Sequence, residues 1–132
     1  MEDVHVHFLH NAAGKYTFEL LDKIVSAAVN YGMDEIYLLE HTHQFREFKK
    51  AYEPVDGFNM YQHQWLTTKM GGTIENYLDF IEAAKKRKYD VKIKFGLEVC
   101  YIPKTADLID GILKEYKFDF LTGSVHYIDN WG

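Results

Sequence analysis

Short apolar runs that read as strands alternate with longer segments of helical periodicity, and this alternation constrains the chain more than any other feature. Asp3 to Leu9 is expected to form a first strand, with valines set between histidines. Thr17 then caps a helix in which Phe18, Leu21, Ile24, Val25, Ala28 and Val29 recur at helical spacing, and Gly32 stops it. Glu35 to Glu40 is the second strand. Its centre, Ile36-Tyr37-Leu38-Leu39, is apolar on both faces, as suits a parallel strand covered on both sides. Thr73 with Asn76 opens the next helix, with Ile74, Tyr77, Leu78, Ile81 and Ala84 on one face. Lys92 to Val99 is the third strand. Thr105 to Tyr116 is a helix with Leu108, Ile109, Ile112 and Leu113 inward, and Phe118 to Val125 is a fourth strand leading into His126. Strands joined through helices make right-handed crossovers in a parallel sheet, so the fold class is α/β.

One stretch breaks the pattern. Residues 42–72 hold Pro54, Gly57, Gly71 and Gly72 and are rich in Tyr, Phe and Gln. A structureless loop seldom exceeds about 12–15 residues. Short helices are therefore expected inside this segment, which has the character of a lid inserted in a single domain spanning 1–132. No internal repeat or domain boundary interrupts the chain.

Composition narrows the partners. Acidic residues outnumber basic ones by 20 to 15, a formal charge of -5, which weighs against nucleic acid and anionic membranes. The basic run Lys85-Lys86-Arg87-Lys88 closes a helical pattern and complements that helix's dipole. The one cysteine, Cys100, rules out an intrachain disulfide. With no basic-then-apolar leader and no apolar run of about 18 residues, a soluble, cytoplasmic protein is expected.

The chemistry-capable side chains gather where strands end. His5 and His7 lie on the first strand, with His10 just beyond it; Glu40, His41 and His43 end the second; Glu98 ends the third and His126 the fourth. In parallel α/β folds the strand C-termini share one face, and sites form there. His5 and His7, two residues apart on a strand, point the same way and suit one divalent ion. Taken singly, each has a structural reading: a half-buried polar stripe for His5 and His7, a buried ion pair for Glu98, a satisfied core histidine for His126. Their convergence on one rim favours a metal. A mixed imidazole and carboxylate set suits zinc, manganese or iron better than calcium. Arg46 is a candidate clamp for phosphate, or else a surface residue. Phe45, Phe48, Tyr52, Tyr61 and Trp65 either wall a pocket or, the favoured reading, pack the segment.

These residues resemble the PHP (polymerase and histidinol phosphatase) family. The matching motifs are His5-Val6-His7, Glu40-His41, Gly96-Leu97-Glu98-Val99 and Gly123-Ser124-Val125-His126-Tyr127, and the last two resemble its histidinol-phosphatase branch. The resemblance implies a distorted seven-stranded (β/α) barrel, of which this chain has about the first four βα units, with up to three divalent ions at its rim. It implies that His5, His7 and Glu98 hold one ion, that Glu98 bridges to a second taken also by His126, and that His41 serves a third. His10 is the nearest candidate for the other ligand of that third ion, and Glu40 is expected to orient a ligand. Glu98, His41 and His126 become the catalytic set, and His43 and Arg46 the substrate contacts. Cys100 is read as a bystander near the cluster.

The implied reaction is hydrolysis of a small phosphorylated metabolite, L-histidinol phosphate in histidine biosynthesis, by a metal-activated hydroxide. The family's later ligands, a further His and an Asp-x-His pair, do not occur, so the chain reads as the N-terminal half. An open half-barrel leaves an apolar face and a sheet edge that self-association or a missing C-terminal half would cover. The alternatives are a non-catalytic metal-binding or oligomerising remnant, a phosphatase for another small phosphomonoester and, less favoured, a polymerase-associated module.

Overall fold

The computed structural model of the chain describes residues 1–8, 15–56 and 59–128. Strand β1 (Glu2–His7) leads into helix α1 (Phe18–Asn30), and β2 (Glu35–His41) follows. Two 3₁₀ turns, Thr42–Gln44 and Arg46–Phe48, come next, then α2 (Lys49–Tyr52), α3 (Met60–Lys69) and α4 (Ile74–Lys85). Strand β3 (Lys92–Cys100), α5 (Ala106–Lys114) and β4 (Phe120–Ser124) complete the order. The four strands are all parallel and lie in sequence order, β1-β2-β3-β4, giving an α/β half-barrel.

Local chemistry accounts for the element boundaries. The Thr17 hydroxyl accepts the Leu20 N–H, which caps α1, while Leu21, Val25 and Ala28 supply its buried face. Gly32 takes φ +69°, the left-handed turn that lets the chain leave α1. Thr73 caps α4 in the same way through the Asn76 N–H. The Glu47 carboxylate accepts the Ile74 N–H at 2.9 Å and ties the start of α4 to the inserted segment. Ile36, Leu38 and Leu39 are buried, so β2 is covered on both faces as its apolar run predicts.

Helix α5 departs from expectation at one position. Ile109 is buried and Ile112 and Leu113 pack against the core, but Leu108 is 40% exposed. Leu108 sits roughly 100° around the helix from Ile109 and about 40° beyond Ile112, at the outer edge of the stripe that the other three share.

The segment 42–72 contains the short helices its length demanded. Its two ends are pinned together: Arg46 N–H donates to the Gly72 carbonyl and Gly72 N–H to the Gln44 carbonyl, each at 3.0 Å. Phe45, Phe48 and Tyr52 are buried in the core. Below this closed excursion, Thr42 Oγ1 and the Tyr52 hydroxyl lie 2.7 Å apart, and the Cys100 N–H donates to Thr42 Oγ1 at 3.3 Å. The segment is thereby fastened to the C-terminal ends of β2 and β3.

Candidate metal centre

Parallel register sets the site. His41 on β2 lies beside Glu98 on β3, and Glu98 beside Thr122 on β4. Paired residues in neighbouring strands project to the same face, and every second residue along a strand does so too. His5 and His7 on β1 therefore reach the same rim. The result is one buried carboxylate ringed by imidazoles. Glu98 Oε2 lies 3.1 Å from His5 Nε2, 3.3 Å from His7 Nε2 and 3.5 Å from His41 Nδ1. Its other oxygen, Oε1, lies 2.9 Å from His126 Nε2. The His7 and His41 rings stack with centroids 4.3 Å apart, and the His41 and His43 rings at 4.7 Å.

The electrostatics follow from this crowding. Burial pushes the Glu98 carboxyl up, but His41, the Ser124 hydroxyl, His126 and His7 outweigh it and hold the group below the usual carboxylate range. Burial lowers His41 to about 4; the other histidines add to that and Glu98 opposes it. His43, 8% exposed, falls to about 3 through burial and its neighbours His41 and His126. Both rings are neutral near pH 7.

This geometry is poorly served by hydrogen bonds alone. His5 Nε2 and His7 Nε2 lie 3.1 Å apart, and such a pair of nitrogens shares one proton at most. Among the described residues, His41 Nδ1 and Glu98 Oε2 are buried without an aligned hydrogen bond. Cations at the convergence would satisfy these atoms. Two groups have the required spacing, His5 with His7 and Glu98, and His41 with Glu98 and His126, their ligand atoms within 4.8 Å of one another. The donor set fits a borderline divalent metal.

Comparison with known proteins gives the family. The PHP domain matches residues 3–131. The chain belongs to the PHP family. Among solved structures it is similar to the histidinol phosphate phosphatase of Lactococcus lactis subsp. lactis Il1403, a structure with zinc, L-histidinol and phosphate. Identity is 25% and the TM-score 0.65, over 98% of this chain and 41% of that one. The chain thus spans about two fifths of the length of the phosphatase it matches. A search of curated proteins found no match.

Other residues singled out in this PHP chain fall in different places. His10 lies outside the described residues. His43 packs against Trp65, ring centroids 4.7 Å apart, and with His41, His126, Tyr61, Asn59 and Trp65 lines a cleft of about 450 Å³. The aromatics of the inserted segment therefore divide: Tyr61 and Trp65 face the cleft, and the other three pack the core. Arg46 is exposed and lines a separate groove with Lys49, Asp56 and His63. Glu40 does not share the rim. One residue out of phase with His41, it is fully buried on the helix-covered face, where its charge adds to burial in pushing up the Tyr16 and Tyr77 hydroxyls. Cys100 is buried, and burial raises its thiol. Ser124 is a polar neighbour of the cluster to which sequence reasoning gave no part, although its spacing of two from His126 was the available signal.

Proposed function

We propose that this chain carries the histidine-rich part of a metal-dependent phosphomonoesterase centre of the histidinol-phosphatase type, hydrolysing L-histidinol phosphate to L-histidinol and phosphate in histidine biosynthesis. The observation that carries this reading is the convergence of four imidazoles on buried Glu98. In the proposal, His5, His7 and Glu98 hold one divalent ion, and Glu98 is shared with a second group completed by His41 and His126. His10 is retained as a candidate ligand for a third ion. Zinc, manganese and iron all suit these donors. Such ions neutralise phosphate oxygens and give hydroxide from bound water near neutral pH.

The protein's own share is to fix geometry. Glu98, His41 and His126 form the catalytic set. Neutral His43 and the Trp65 and Tyr61 rings offer a wall for the leaving group, and Arg46 is a more remote anion contact. Segment 42–72 acts as a lid, its pinned ends keeping α3 over the rim. The zinc, histidinol and phosphate of the Lactococcus protein support this substrate class. Exposed Val4, Leu121, Val125 and Ile128 support the expectation that a second copy or further barrel strands cover the open apolar surface. A cytoplasmic setting is part of the proposal; no helix among the described residues is long and apolar enough to cross a membrane.

The test is elemental analysis and sizing of chelator-treated, reloaded protein, followed by phosphate release from L-histidinol phosphate and from p-nitrophenyl phosphate. Two or more ions per chain, lost in Glu98→Gln, with metal-dependent turnover favouring L-histidinol phosphate, is the expected result. Turnover without that preference would indicate another phosphomonoester. Metal uptake without turnover would favour a binding remnant, and no uptake would end the proposal.

A further inference from the structure

A histidine that ligates a metal through one nitrogen needs a partner for the other, because that partner fixes the tautomer. For His126 the partner is Ser124. Its Oγ lies 3.3 Å from His126 Nδ1, while Nε2 of the same ring faces Glu98 Oε1 at 2.9 Å. The same hydroxyl is in hydrogen-bond reach of the Val99 carbonyl, at 3.4 Å, and helps hold the nearby Glu98 carboxyl below its usual range.

Donor and acceptor counting shows what this placement does. A hydroxyl has one proton, whereas the carbonyl and the carboxylate only accept. If the Ser124 proton goes to the Val99 carbonyl, Oγ must accept from His126 Nδ1–H. The Nε2 lone pair then faces a carboxylate oxygen, which is tolerable only with a cation between them. If the proton goes instead to Nδ1, then Nε2 carries hydrogen, donates it to Glu98, and is closed to a metal. A carbonyl or carboxylate in place of the hydroxyl could serve only the first arrangement, and a methyl group neither.

We propose that Ser124 is a positioning residue that sets the tautomer of His126, its hydroxyl donating to Nδ1 when no ion is held and accepting from Nδ1–H when Nε2 takes an ion. The inference rests on the metal centre proposed above. It adds a specific function for a side chain that touches neither ion nor substrate.

The experiment uses this chain labelled with ¹⁵N at histidine, read by imidazole ¹⁵N NMR at pH 8, metal-free and after loading with Zn²⁺, with His126→Gln to assign the ring. Zn²⁺ affinity is measured in parallel by competition with a chromophoric chelator. The metal-free protein should show Nε2–H at His126, and the loaded protein Nδ1–H. Ser124→Ala should weaken one Zn²⁺ about 10–100-fold and leave the other unchanged. Ser124→Thr, which restores the hydroxyl, should restore the affinity. Equal affinity in Ser124→Ala and the unsubstituted chain would overturn the role of Ser124 and leave the metal centre standing. An unchanged tautomer on loading would overturn it as well, even if Ser124→Ala failed to fold. Absence of Zn²⁺ uptake by the unsubstituted chain would remove both this inference and the metal centre.

Discussion

Lowering the pH from 8 to 5 without metal should cost the fold about 2 kcal/mol through His43 alone. The ring is buried, and burial lowers it to about 3 from the ordinary 6.5. At pH 5 the unfolded chain's imidazole is about 97% protonated, while the folded one stays neutral. The unfolded state binds the extra proton, so stability is fully present above pH 6.5 and declines as pH falls toward 3. The magnitude at pH 5 depends almost wholly on the unfolded value, because any folded value well below 5 gives the same answer. Urea unfolding followed by circular dichroism, in chelator at pH 8 and pH 5, measures it. With an m-value near 1.5 kcal/mol/M, the midpoint should fall by roughly 1 M from this residue. His43→Gln removes the titrating group, so its pH-induced loss should be about 2 kcal/mol smaller, whatever its stability at pH 8. The remaining slope contains His41, lowered to about 4. An identical pH-induced loss in both proteins would refute the reasoning, since it would mean that His43 accepts its proton in the folded state.

Two substitutions away from the histidines probe the scaffold. A Cβ on Gly96 would collide with the Phe120 carbonyl and its ring, so Gly96→Ala should destabilise by about 1–3 kcal/mol in urea unfolding and loosen the β3–β4 pairing that carries Glu98. Thr42→Val keeps the shape but strips a hydroxyl that meets the Tyr52 hydroxyl and the Cys100 N–H. A loss of about 1–3 kcal/mol is expected, with faster proteolysis of segment 42–72 as a second readout.

Much of the scaffold was readable because its signals are local. The apolar run Ile36 to Leu39, the caps Thr17 and Thr73 and the turn at Gly32 each follow from residues close in sequence. Strand-end histidines and Glu98 were readable because a parallel sheet brings strand ends together whatever lies between them. Contacts that depend on how a segment returns were not readable. Arg46 and His43 are three residues apart, yet one faces an outer groove and the other the cleft, because the Arg46–Phe48 turn redirects the chain. Trp65 meets His43 only because Gly72 pins the far end of the insertion beside Gln44 and Arg46. Glu40 follows strand alternation, which puts it on the face opposite its neighbour His41. The position of Ser124 could have been inferred from the same two-residue rule that joined His5 to His7.

Both ligand groups depend on Glu98, whose oxygens face three histidines on one side and one on the other. In the proposed centre that sharing would shape the loading curve. The first dication to arrive would draw on the carboxylate's single negative charge, so the second would enter a pocket whose anion is partly spent and bind more weakly. An anion spanning both positions would restore the balance. By thermodynamic reciprocity, phosphate should then strengthen uptake of the second ion by the same factor by which that ion strengthens phosphate. Metal isotherms recorded with and without phosphate should therefore differ in their second step far more than in their first.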